Sequence, residues 1–438
     1  MAAPRAGDLA AARWVPREGV DPAALAALLE RAAAALATEG AVRKASRRKT
    51  LHAIALGDGV DHLLKANDYR GAPLVRRLRR SRSARELARA SAAAARGVPT
   101  PVPVAAGELR RRGLLERCFL LVPLVPGAVD LERLRAERAH APRERRACER
   151  ALGALARRMH DAGVFQEDFA PNNFLWRADP PPRLWAIDFE RVRLGAPLSR
   201  AARTLLLARL ERRLADASGA ARMRFLLAYA DEDRAAARRW WLEVEARAPR
   251  LARRDRRRWQ RTATHPSRRF APMERAGWRG WARRDADPAA LAGVLDGERV
   301  GEAAFLVRWL GRLSRRRAAR AWGLAQMLWQ RGGASPKPLA LLRSSRGAAL
   351  VFERPSGCQR LDTLADRRRL EPQLAIALDR LLRLGARPEA LTADRLGAAA
   401  QGSRIWLLDP LVVSPGRRPP VEVHRRAREC AARLAGTG

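Results

Sequence analysis

The sequence predicts an α+β fold in two lobes, strands first and helices second, on three observations. Two apolar strand patterns meet at a glycine-flanked turn near residue 58. A long helical pattern follows a single bend at residues 123–127. A cluster of carboxylate and amide side chains then sits between short strands at residues 166–190. The lobes are expected over residues 1–125 and 126–270, with a further module over 280–438.

Each element rests on a local signal. Asp21-Pro22-Ala23-Ala24-Leu25 opens an amphipathic helix running to about Ala37. His52-Ala53-Ile54-Ala55-Leu56 and Val60-Asp61-His62-Leu63-Leu64-Lys65 read as strands, joined through Gly57-Asp58-Gly59 as a hairpin. A helix from about Ser83 to Arg96 stops at Gly97, and Val98-Pro99-Thr100-Pro101-Val102-Pro103 is extended. Phe119-Leu120-Leu121-Val122 is a buried strand, and helical pattern fills Leu131 to Asp161. Phe174-Leu175-Trp176 and Leu184-Trp185-Ala186-Ile187 flank a proline-rich turn, and helices dominate from Ser199 to about Gln260. The basic, proline-bearing stretch from Arg250 to Ala276 reads as a joint between modules.

Composition narrows the class. The chain has 438 residues, 47% of them hydrophobic, so disorder is excluded and several domains fit. Apolar runs such as Phe119 to Val125 are far too short to span a bilayer, and the first residues carry no secretory signal pattern. Four dispersed cysteines, Cys118, Cys148, Cys358 and Cys430, imply reduced thiols and a cytoplasmic setting. The net charge is +41, yet only four of the 87 basic residues are Lys. They spread along helical faces, so solvated surface is favoured over a nucleic-acid groove. Such charge would still draw the chain to anionic surfaces, including the inner face of the inner membrane.

The chemistry lies in Gln166-Glu167-Asp168-Phe169-Ala170-Pro171-Asn172-Asn173 and Ile187-Asp188-Phe189-Glu190. An Asp followed five residues later by an Asn, with a second Asp closing an apolar strand, matches H-R-D-x-x-x-x-N and D-F-G of kinases. Phosphoryl transfer needs one carboxylate to orient the attacking hydroxyl, and an amide plus a carboxylate to hold Mg²⁺ against phosphates. Asp168 is the expected base, and Asn173 and Asp188 are the expected metal ligands. As a turn cap, Asp168 would leave the other two unexplained. Lys65, a rare lysine in an apolar strand, is expected on the nucleotide phosphates. Glu86 is either its partner or the acid of a capping box begun three residues earlier by Ser83. No G-x-G-x-x-G precedes the hairpin; residues 41–49 are basic instead. His160 reads as a structural helix-end histidine. The predicted fold is therefore a protein-kinase-like one.

Beyond residue 280 the sequence repeats itself in order. Asp287-Pro288-Ala289-Ala290-Leu291-Ala292 copies Asp21 to Ala26, and Arg404-Ile405-Trp406-Leu407-Leu408-Asp409 echoes Arg183 to Asp188. Aligning Gly163 with Gly385 puts Ala390 at the place of Asp168 and Arg395 at that of Asn173. Arg308 falls near the place of Lys65, and Ala321 replaces Glu86. A shortened, degenerate kinase-like module without catalysis is expected there.

The run Met159-His160-Asp161-Ala162-Gly163-Val164-Phe165-Gln166-Glu167-Asp168-Phe169-Ala170-Pro171-Asn172-Asn173, followed by Leu184 to Arg193, resembles the lipopolysaccharide kinase (Kdo/WaaP) family. The likeness extends over about residues 40–270, with Gln166 where the pattern has His and Glu167 where it has Arg. The resemblance implies a protein-kinase-like fold that uses ATP and Mg²⁺ to phosphorylate a Kdo or heptose hydroxyl of the lipopolysaccharide inner core. It assigns Asp168 as base, Asn173 and Asp188 as Mg²⁺ ligands, and Lys65 with Glu86 as the nucleotide clamp. The acceptor would be lipopolysaccharide core or a lipid A precursor. The alternatives are a non-catalytic nucleotide-binding regulator and a kinase for a protein or small molecule.

Overall fold

A computed structural model describes residues 4–37, 42–46, 49–55, 61–136, 142–179, 183–214, 217–267, 269–275, 277–296, 305–311, 315–330, 335–345, 347–355, 357–384, 386–399, 405–409, 412–413 and 423–437. The chain divides into two compact units, Met1–Leu207 with Gly219–Trp241, and Ala208–Ser218 with Leu242–Gly438.

In the first unit, α1 (Ala6–Ala10), β1 (Arg13–Pro16) and α2 (Pro22–Ala37) lead into β2 (Val42–Ser46), β3 (Lys49–Ala55) and β4 (Asp61–Asp68). The short α3 (Leu74–Leu78) and α4 (Arg82–Ala95) precede β5 (Ala105–Arg111) and β6 (Leu114–Pro123). These strands form one antiparallel sheet in the order β1-β5-β6-β4-β3-β2. Alternation along β6 explains its central place. Phe119 and Leu121 join a core with Ile54 and Leu64, while Leu120 and Val122 pack against Leu87 of α4. The turn at Gly57-Asp58-Gly59 and residues 47–48 lie outside the described residues.

After β6 come β7 (Val129–Asp130), α5 (Leu131–Ala136), α6 (Pro142–Asp161), β8 (Val164–Gln166), β9 (Phe174–Arg177), β10 (Arg183–Ala186) and β11 (Val192–Leu194). The strands pair as β10-β9-β7 and β11-β8. Helices α7 (Arg200–Arg213), α8 (Gly219–Tyr229) and α9 (Arg234–Ala263) follow. Gly153 lets α8 approach α6, since a Cβ there would lie 2.2 Å from the Phe225 carbonyl oxygen. The mixed helix and sheet content is the expected α+β class.

In the second unit, β12 (Phe270–Arg275), β13 (Trp278–Arg283), α10 (Pro288–Asp296), β14 (Phe305–Gly311), α11 (Arg315–Gln330), β15 (Pro338–Ser344) and β16 (Gly347–Glu353) build a sheet ordered β12-β13-β15-β16-β14. A smaller sheet holds β17 (Cys358–Arg360), β18 (Leu396–Ala399) and β19 (Ile405–Leu407), with α12 (Glu371–Arg383) and α13 (Val423–Ala435) around a leucine-rich core. The stretch Arg250–Ala276 carries regular structure. Helix α9 continues to Ala263 and β12 begins at Phe270, because arginine is a good helix former and only Pro266 stops the run. All four cysteines are buried and free. Among the described residues no helix is long and apolar enough to cross a membrane.

Candidate active site

Strand β4 carries Lys65 at mid-sheet, paired with Leu51 on one side and Leu120 on the other. Its ammonium meets the Glu86 carboxylate of α4 at 2.5 Å, with both side chains largely buried. The capping-box alternative is not realised. Ser81 is the N-cap of α4, accepting from the Ala84 amide at 3.0 Å, while the Ser83 hydroxyl turns to Cys118 Sγ. Burial alone would lower the Lys65 pKa, but Glu86, Asp188 and Glu190 together raise it. Lys65 thus stays cationic and senses the Asp188 carboxylate.

The loop after β8 carries Asp168, exposed at a turn, between buried Gln166 and buried Phe169. Phe169 anchors it against His160 and Phe174, at ring separations of 5.5 and 5.2 Å. Asn173, also buried, donates from Nδ2 to the Asp168 carbonyl at 2.7 Å, so the residues at the two ends of the five-residue spacing clasp each other. The Asn173 carbonyl accepts from the Ile187 amide at 2.9 Å, and the Gln166 side-chain amide donates to Ile187 O at 2.8 Å and Asp188 O at 3.3 Å. Three bonds therefore join the loop to the end of β10.

The approach to this loop depends on Gly163, which has φ +72°. An added Cβ would lie 2.1 Å from the Gly195 carbonyl oxygen, so neither the conformation nor the space admits a side chain.

Asp188 sits at φ 64°, ψ 67°, left-handed backbone that costs a non-glycine residue energy. Its Oδ1 is buried without a hydrogen-bond partner, an arrangement that favours a cation. Downstream, Glu190 is gripped by α4. Arg82 Nε lies 3.3 Å from its carboxylate, and Arg89 donates to its carbonyl. Arg82, Glu86 and Arg89 lie on one helix face, at spacings of four and three residues. That spacing was readable in the sequence, but the roles of Arg82, Arg89 and Gln166 were not drawn from it. Among the described residues no group of three or more His, Cys, Asp or Glu could hold a metal unaided. An ion at Asp188 and Asn173 would therefore draw on phosphate and water oxygens.

His160 is structural. Its Nδ1 lies 2.8 Å from the Tyr229 hydroxyl, and burial, helped by Arg203, lowers its pKa to about 3.

The model of the lipopolysaccharide kinase (Kdo/WaaP) family matches residues 36–229. That segment is similar to the Kdo/WaaP family. All five expected site residues, Lys65, Glu86, Asp168, Asn173 and Asp188, fall within the matched residues. A relative named 3-deoxy-D-manno-octulosonic acid kinase, from Photobacterium profundum, is 37% identical over 112 residues, 26% of this chain. The chain spans 44% of that relative's length. A solved structure titled "WaaP in complex with acyl carrier protein" covers 55% of this chain and 99% of its own, at 24% identity and a TM-score of 0.38.

Proposed function

We propose that the first unit is a kinase that transfers the terminal phosphoryl group of ATP to a hydroxyl of a lipopolysaccharide inner-core sugar. The observation that carries this reading is the buried, unpartnered Asp188 Oδ1 beside a lysine already neutralised by Glu86. One net negative charge is left where a metal-bound triphosphate would need it. Asp188 and Asn173 would hold Mg²⁺, which supplies charge neutralisation to the phosphates when bound. Lys65, held straight by Glu86, grips the α- and β-phosphates. Asp168, exposed at the loop tip, orients the acceptor hydroxyl and takes its proton as the oxygen attacks phosphorus. The family match and a relative named for acting on 3-deoxy-D-manno-octulosonic acid support a Kdo or heptose acceptor. The excess positive charge suits an acceptor displayed at an anionic membrane face.

The second unit is, on this reading, a degenerate copy. Its β14-β16-β15 adjacency repeats β4-β6-β5, and β13 pairs with β15 as β1 pairs with β5. Helix α10 after β13 opens on the same Asp-Pro-Ala-Ala-Leu as α2 after β1. In the first unit the Asn173 amide bonds Ala170 O at 3.0 Å and the Ile187 amide bonds Asn173 O at 2.9 Å. In the second, Arg395 N bonds Thr392 O at 3.1 Å and Leu408 N bonds Arg395 O at 2.8 Å. Among the described residues the β2-β3 hairpin has no counterpart: residues 38–60 separate α2 from β4, but only residues 297–304 separate α10 from β14. That hairpin would cover nucleotide in the first unit.

The test is transfer of labelled phosphate from Mg·ATP to a Kdo-bearing lipid A acceptor by the purified chain. Incorporation that Asp168→Asn abolishes is expected. Incorporation equal to that of the variant would remove the kinase reading.

A further inference from the structure

The carboxylate of the second unit that matches Asp188 is not open to a cation. Arg308 Nη2 on β14 lies 3.0 Å from Asp409 Oδ2, and Arg395 Nε lies 3.8 Å from the same oxygen. Arg395 is braced by a bond from Nη1 to the Ala390 carbonyl at 2.9 Å. Ala321, fully buried on α11, stands where the first unit has the lysine's acid partner. The balance of charge is therefore inverted. In the first unit a lysine is cancelled by Glu86 and Asp188 is left over; in the second, two guanidiniums face one carboxylate and a positive charge is left over.

Access and geometry agree with this inversion. Asp409 retains 10% of its side-chain exposure, whereas Arg308 and Arg395 retain 35% and 32%. The Nε atoms of both arginines are buried without a hydrogen-bond partner, so neither fork is saturated. Strand β14 is the edge of its sheet, with no neighbour beyond it among the described residues. A guanidinium presents paired donors that fit the oxygens of a phosphate group, and it cannot lose its proton to make room for a metal.

We propose that the Arg308–Asp409–Arg395 cluster is an anion site of the phosphate class that works without metal and refuses divalent cations. The proposal takes its positions from the reading of the second unit as a degenerate copy, but its test does not involve phosphoryl transfer. In the first unit the carboxylates Asp168 and Asp188 repel a metal-free anion, so metal-free conditions favour the site in the second unit.

The experiment is calorimetric titration of the full chain with inorganic pyrophosphate in metal-free buffer at moderate salt, paired with Mn²⁺ titration followed by electron paramagnetic resonance. One saturable pyrophosphate per chain is expected, weakened about tenfold or more by Arg308→Gln or Arg395→Gln. Arg308→Lys, which keeps the charge but not the paired donors, should bind more weakly than the parent and more tightly than Arg308→Gln, and Arg369→Gln on the exposed surface should bind as the parent does, which separates the site from lost fold. Mn²⁺ binding should be the same in Asp409→Asn. The proposal is overturned by absence of saturable binding, by binding that survives both glutamine variants, by binding lost in Lys65→Met instead, or by a Mn²⁺ ion that Asp409→Asn removes. A front unit without kinase activity would leave all these outcomes readable.

Discussion

Gln166 holds Asp188 by the backbone: its side-chain amide reaches the Asp188 carbonyl at 3.3 Å and the neighbouring Ile187 carbonyl at 2.8 Å. The left-handed conformation of Asp188 is thus braced by a donor from the other half of the site. Replacing Gln166 by Leu should lower kcat about 10–100-fold, as loss of a residue that orients a metal ligand does, with little change in KM for ATP. Gln166→His, whose ring N–H can donate to the same carbonyls, should retain most activity. Steady-state kinetics of the two variants decide this, and equal losses would refute it.

The Lys65–Glu86 pair should behave as a buried ion pair. Removing either partner alone leaves an uncompensated charge and should cost about 3–5 kcal/mol in urea unfolding. The double variant Lys65→Met with Glu86→Leu should recover most of that stability and none of the activity. A double variant as unstable as the sum of the singles would contradict the pairing.

Asp188→Asn separates charge from shape. Asparagine tolerates left-handed backbone, and the change removes a buried carboxylate oxygen that lacks a partner. Phosphoryl transfer should fall by about three orders of magnitude or more, while the melting temperature holds or rises. Asp188→Ala should lose activity and stability together. Calorimetry alongside turnover distinguishes the two.

Acid stability carries the signature of His160. Its folded pKa is about 3, against about 6.5 in an unfolded chain. The native state therefore refuses a proton that the unfolded state accepts. Stability from this group is whole above pH 6.5 and is lost as pH falls toward 3, at up to ~1.4 kcal/mol per pH unit. Urea unfolding of His160→Gln should lack that part of the slope, so the variant gains on the parent as pH falls. Parallel curves would refute it.

The site was legible where its chemistry is local. The Asp168 to Asn173 spacing, the strand leading to Asp188 and the stop of α4 at Gly97, with φ +81°, all follow from short stretches of sequence. What tertiary pairing decides was not legible. Whether Glu86 caps α4 or meets Lys65 depends on a contact 21 residues away, which the sequence leaves open. Strand β1, four residues long, shows no pattern of its own and exists because β5 offers it an edge. Strand β12 hid in the basic, proline-bearing stretch that read as a joint. Pairing of Arg279 with Arg343 sets the order of the second sheet, and no local signal announces it.

The most direct measurement is mass spectrometry of lipopolysaccharide from cells lacking the gene and complemented with the parent chain or with Asp168→Asn. The account predicts that the inner core loses one phosphate on deletion, regains it with the parent and stays without it in the variant. A core unchanged by deletion, or restored equally by Asp168→Asn, would contradict it.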